Sequence, residues 1–178
     1  MILRIFLVVI TFIITGCASG PREPTYVSFD SNEAQRISNF NIDPYSNFTG
    51  QISVAPVQIT SEQFAVRAEI LTKDIEFALN DARLIAPAET GSFMLVSTLT
   101  NVEFDPGLSM SPHISMNYQL VDKRDNQVIY NNLIRTMGTA QFSEAFIGAE
   151  RNGIALGRAM NVNLAQLIDE LNSLARKY

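Results

Sequence analysis

Ile114-Ser115-Met116-Asn117-Tyr118-Gln119-Leu120 places an apolar side chain at every second position and a polar one between. That period of two is the mark of a strand with one buried and one wet face. The polar run Asp122-Lys-Arg-Asp-Asn126 turns the chain, and a further strand runs from Val128 through Met137. Upstream, Phe93 to Phe104 is rich in Val, Leu, Thr and Phe and ends at the turn signal Asp105-Pro106-Gly107. The three segments predict an antiparallel meander, with Leu108 to Pro112 read as a mobile loop between the first two strands.

Around this meander the pattern changes period. Gln51-Ile-Ser-Val-Ala-Pro-Val-Gln58 alternates as a strand, and Pro56, which has no N–H to donate, belongs at an edge or at the strand's end. Thr60-x-x-Gln63 matches a capping box. Phe64, Ala68, Leu71, Ile75, Ala78 and Ala82 then form one stripe of a helix from about Ser61 to Asp81, with Glu69 and Lys73 an exposed pair. Ser143 to Arg176 reads as a second helix, with Met160, Leu164, Leu167, Leu171 and Leu174 as its stripe. Gly148, Gly153 and Gly157 in its first half are read as close packing on the sheet, or as an irregular start. The expected fold is α+β: two helices on one face of a mostly antiparallel sheet of about four strands, in the order β-α-β-β-β-α.

Ahead of residue 51 the chain carries an address. Arg4 precedes an apolar run that reaches Ile14, too short for the roughly 20 residues that span a bilayer. A basic start, a short apolar stretch and a small residue at its end describe a secretory signal peptide over residues 1–16. Residues 17–25 read as a flexible tether, and residues 26–50 as an aromatic-rich segment that wraps the α+β domain of residues 51–178. Tyr26, Phe29, Phe40, Tyr45 and Phe48 would leave large apolar areas in water unless covered. They dock either on the domain itself or on a partner protein.

Composition narrows the function. Hydrophobic residues make up 47% and charged residues 17%, which fits neither a disordered polyelectrolyte nor a polytopic membrane protein. The formal charge is −5 and no basic block occurs, so no nucleic-acid partner is expected. One cysteine excludes an intrachain disulfide and a cysteine zinc cage, and one histidine starves most metal sites; no cofactor is expected. Phosphate-loop, dinucleotide, zinc-protease and nucleophile-elbow motifs are all missing. His113 reads as a solvent-exposed loop residue rather than a general base with Asp105. Asp122 and Asp125 read as parts of a solvated hairpin turn with Lys123 and Arg124, not as a carboxylate pair or calcium site. Met110, Met116, Met137 and Met160 read as fillers of core gaps.

Ile14-Thr15-Gly16-Cys17 resembles the lipobox of bacterial lipoproteins, in which the cysteine becomes the lipid-bearing first residue of the mature protein. The resemblance implies signal cleavage before Cys17, acylation including palmitate, and attachment to a membrane through that lipid. Ala18, in place of aspartate, implies sorting to the outer membrane of a Gram-negative cell with the domain in the periplasm. In a Gram-positive source the same lipobox implies the outer face of the plasma membrane. Together with the strand at Ile52–Val57, its following helix, the strand pair at Ile114–Val121 and Gln127–Met137 and the long final helix, it resembles small outer-membrane lipoproteins with a β-α-β-β-β-α domain. That group includes the lipopolysaccharide-assembly lipoprotein, auxiliary lipoproteins of ABC and mammalian-cell-entry transporters, activators of penicillin-binding proteins and the curli-secretion lipoprotein. It implies a non-enzymatic accessory or assembly subunit with an envelope protein partner. The alternative is a lipid-binding component of an envelope transport system, with an apolar groove lined by residues such as Phe93, Leu95 and Met116.

Overall fold

A computed structural model describes residue 30 and residues 46–60, 66–87, 90–104 and 110–177. Among the described residues seven elements follow in order: β1 (Ile52–Val54), β2 (Gln58–Ile59), α1 (Ala68–Asp81), β3 (Phe93–Glu103), β4 (His113–Asp122), β5 (Gln127–Met137) and α2 (Gly148–Ala175). The fold is α+β, with a five-stranded sheet in the order β1-β3-β4-β5 and β2 also paired to β3. β3, β4 and β5 form the antiparallel meander, with Leu99↔Met116 and Met116↔Ile134 in register.

The first strand is divided by Pro56. Ile52 pairs with Phe93 and Gln58 with Thr98, both parallel to β3, so α1 is the crossover of a β-α-β unit. Between the two short strands the Val57 N–H turns inward to Thr72 Oγ1 on α1, 2.9 Å away. A proline that cannot feed the ladder thus costs the sheet one rung and gives the helix a foothold.

α1 begins at Ala68, later than the capping box predicts. Arg67 is the N-cap, extended and without a side-chain cap. The Thr60 hydroxyl is taken instead by Leu99 O at 3.1 Å and Thr100 O at 3.2 Å, so it secures β2 to β3. Ser61 to Ala65 lie outside the described residues. The stripe is otherwise as expected: Leu71, Ile75, Ala78 and Ala82 are buried, and Glu69 and Lys73 are exposed. At its C-terminus Leu84 N–H bonds Leu79 O (2.8 Å) and Arg83 N–H bonds Asn80 O (2.9 Å), the paired bonds of a Schellman cap, with Leu79 and Leu84 both buried. Arg83 holds the left-handed position with φ +53°, a place suited to glycine. Arg83→Gly is therefore expected to stabilise the fold by about 1 kcal/mol, measurable by urea unfolding.

α2 packs across β4 and β5 and touches α1, and the core lies between helices and sheet. Its expected stripe of Met160, Leu164, Leu167 and Leu171 is buried, and so are Ala155, Leu156, Ala159, Ala165 and Ile168. The helix starts at Gly148, not at Ser143, and a Cβ on Gly148 would meet nothing nearer than 3.5 Å. Gly153 and Gly157 are buried along α2. A further close approach lies at the end of β5: a Cβ on Gly138 would lie 2.0 Å from Ala155 O and 2.4 Å from Ala159 N. The end of β5 thus runs backbone against backbone along α2. A buried polar set ties the same layers together. Tyr118 donates its hydroxyl to Asn163 Oδ1 (2.7 Å), Asn163 Nδ2 donates to Ile134 O (3.0 Å) and Thr136 Oγ1 (3.1 Å), and Thr136 donates to Ala159 O (2.7 Å).

Candidate functional site

Of the residues singled out for lipid attachment, sorting and docking, Cys17, Ala18, Tyr26, Phe29, Phe40 and Tyr45 lie outside the described residues. Phe48 is described, and it is fully buried, its ring edge-on to Phe93 at 4.9 Å. It belongs to the domain's core and is closed to a partner. Asp30 lies against the domain too, its N–H bonding Asn161 Oδ1 on α2 at 3.1 Å.

Several sequence expectations change in the structure. Asp122 is only 1% exposed: Arg124 folds back over it through Nε and Nη2, and the Arg124 N–H bonds the same carboxylate at 2.9 Å. The hairpin turn is therefore solvated only from Lys123 onward. His113 is half-buried at the head of β4 rather than in a loop, beside a cleft of about 260 Å³ lined by Glu103, Phe104 and Arg135. Met116 and Met160 fill the core, but Met137 faces solvent. Met110 pairs with Ala140 in an isolated antiparallel bridge, so this end of the expected mobile loop is fixed to the chain after β5. Asp105 to Ser109 lie outside the described residues. Leu95 and Met116, expected to line a lipid groove, are closed within the core. Phe93 touches a cleft of about 430 Å³ whose other walls are Ser46, Asn47, Thr49, Gln51, Ser92 and Arg124, a polar lining.

What the fold presents outward is apolar surface. The sheet face away from the helices carries Leu133, Met137 and Val128, all exposed, beside half-buried Val96 and Val121. A second group sits where β5 leads into α2. Phe142 is 53% exposed and Phe146 83%, their rings 5.7 Å apart at 67°, and Ile147 is exposed beside them. Phe104 and Met137, exposed at the ends of β3 and β5, lie at the same end of the sheet.

Charged groups hold this loop from within. The Arg151 guanidinium stands 4.8 Å from the centre of the Phe142 ring and donates to Ala145 O (2.8 Å) and Phe146 O (3.1 Å). Arg158 grips Glu144 through both terminal nitrogens, at 2.6 and 2.9 Å, and also donates to Thr139 O. The Arg158 hydrogen bonds, and then the Gln141 N–H, draw the Glu144 pKa from its ordinary 4.5 down to about 2. A carboxylate whose pKa is lowered by folding adds stability above its unfolded value and loses it as pH falls toward the folded one. Glu144→Gln is thus expected to melt below the parent protein at neutral pH, the gap closing between about pH 4.5 and 2 in thermal scans.

Among the described residues no group of three His, Cys, Asp or Glu side chains is placed to hold a metal ion, and no helix is long and apolar enough to cross a membrane.

No family model matches the chain. No curated protein matches it in sequence. Solved structures match it in fold. A protein described as a lipoprotein from Caulobacter crescentus is 10% identical, covering 74% of this chain and 95% of its own, with a TM-score of 0.56. A hypothetical protein from Chlamydia trachomatis is 11% identical, covering 72% and 99%, with a TM-score of 0.54. The PelC dodecamer from Paraburkholderia phytofirmans is 10% identical, covering 67% and 86%, with a TM-score of 0.51. At such identities the likeness is one of fold.

Proposed function

We propose that the chain is a lipid-anchored lipoprotein of the bacterial outer membrane, its domain in the periplasm, acting without catalysis as an accessory or assembly subunit of a cell-envelope complex. The observation that carries this reading is Ile14-Thr15-Gly16-Cys17 at the end of a short apolar leader, ahead of a domain that shares its fold with the Caulobacter lipoprotein. Two or more acyl chains on Cys17 hold a protein stably on a bilayer where one does not. The anchored domain would work by protein contact, as do the lipopolysaccharide-assembly, transporter-auxiliary and penicillin-binding-protein-activator types that the sequence resembles. The open sheet face around Leu133 supports a contact role, because exposed apolar area of this kind favours association. A lipid-carrying role finds less support, since the groove residues it needs are in the core or on a polar cleft.

The test is Cys17→Ser in the native host, followed by palmitate labelling and membrane fractionation. The parent chain should take up label and sediment with the outer membrane, and the variant should lose the label and keep its leader. Equal sedimentation with unaltered processing would overturn the anchor. Cross-linking in intact envelopes then identifies the partner, and recovery of no specific protein would overturn the accessory role.

A further inference from the structure

We propose that the loop tip formed by Phe142, Phe146 and Ile147 dips into the headgroup layer of the membrane that holds the Cys17 lipid, and so sets the domain's orientation on the leaflet. The proposal rests on the lipid anchor and goes beyond it, because a flexible tether fixes distance but not attitude.

The tip has the features that partial insertion requires. Three large apolar side chains point outward together, and Phe146, at 83% exposed, is covered less than any other large hydrophobic residue described. Residues of this type on an interfacial segment enter the headgroup and acyl boundary to about 5–10 Å. Most of the charge behind them is engaged, although Arg151 Nε and Asn152 Oδ1 are buried without a hydrogen-bond partner. Arg151 is spent on two backbone carbonyls and the Phe142 ring, and Arg158 on Glu144 and Thr139 O, so insertion strips water from few unpaired donors. The same bonds hold the loop in one shape before it meets lipid, which lowers the entropy lost on contact.

Charge and reach favour a bilayer as the occupant. Between Gly138 and Arg158 two glutamates and two arginines cancel, in a chain whose formal charge is −5. The tip is therefore a neutral place on an acidic protein, and it meets anionic lipid without the repulsion the rest would feel. Asp30 is held to Asn161, 13 residues along α2 from Gly148, or about 20 Å of helix rise from the tip. The 13 residues from Cys17 to Asp30 reach up to about 45 Å when extended. The lipid and the tip can thus sit in one leaflet together.

The chain contains no tryptophan, so Phe146→Trp gives a single reporter at the tip and Phe77→Trp a control on the exposed side of α1. Each full-length lipidated variant, checked by circular dichroism, is reconstituted into vesicles of phosphatidylethanolamine and phosphatidylglycerol carrying brominated acyl chains. Bromine should quench the tip reporter at least about twofold more than the control, with a blue-shifted emission that appears only with vesicles. Equal quenching, in a protein that floats with the vesicles, overturns the tip and leaves the anchor standing. A chain that does not float overturns both. A blue shift without vesicles that grows with protein concentration assigns the tip to a second copy, and one that appears only with an envelope partner assigns it to that protein; either overturns the lipid contact.

Discussion

Gly138→Ala is expected to destabilise the protein by about 4 kcal/mol, enough to leave a marginal domain largely unfolded at 37 °C. The added methyl would lie 2.0 Å from Ala155 O, 2.4 Å from Ala159 N and 2.9 Å from the Arg158 Cβ. The first two are backbone atoms of α2, so no side-chain rotation relieves the overlap. Either the helix lifts from the sheet or the end of β5 leaves it, and both open packing that is close to crystal density. Lifting the helix also pulls Ala159 O away from Thr136, so the damage spreads to the buried polar set. Gly148→Ala is the matched control: its methyl meets Met110 Cε at 3.5 Å and Arg151 Nη2 at 3.9 Å, both ordinary contacts, and stability should change by less than about 1 kcal/mol. Chemical denaturation of the two variants side by side checks both values.

The second large effect is expected at Asn163, whose side chain uses both its N–H groups and its carbonyl oxygen inside the core. Asn163→Ala should cost about 3 kcal/mol. It leaves the Tyr118 hydroxyl and Ile134 O without this partner in a place water does not reach, and it opens a small cavity. The Tyr118 hydroxyl cannot escape by ionising, because burial raises its pKa well above the ordinary tyrosine value. Tyr118→Phe alone removes one donor and should cost about 1 kcal/mol. Added to Asn163→Ala it should cost less than it does alone, since the donor it deletes is already orphaned. A double-mutant cycle by urea unfolding measures that difference.

The meander was legible because its signal is local: a period of two in β4 survives any tertiary context that buries one face. Its partner strands were legible from β-rich composition and the turn signals that bound them, and α2 from the stripe Met160 to Leu171. The break at Pro56 could be read as a strand's end but not as a bridge to α1, because the Val57–Thr72 bond joins elements by packing alone. The start of α1 was misplaced for a similar reason. Thr60 has the chemistry of a cap, and only the nearness of Leu99 O shows that its hydroxyl is used elsewhere.

The loop tip is hard to see in the sequence because the helical pattern runs on to Ser143, five residues before the helix begins at Gly148. Its signal was weak: Phe142 and Phe146 keep the helical spacing of the stripe that runs from Met160 to Leu174, and only Ile147 falls off it, with Gly148 at the boundary. Gly138 was invisible for another cause. A glycine after a strand suggests a turn, whereas its role here is set by the helix that lies across it. The proposed lipid anchor shows the opposite limit, since its signal is purely sequential and the fold adds nothing to it.

The placing of α2 also bears on when the domain can form. The final 28-residue helix covers β4 and β5, and the contact between Asp30 and Asn161 joins positions 131 residues apart. Until the ribosome has released those last residues, the inner side of the sheet has no lid and the early chain has nothing to grip. For the exported chain proposed above, which would cross a narrow pore unfolded, this order of construction fits: the molecule would complete itself only after its tail had crossed.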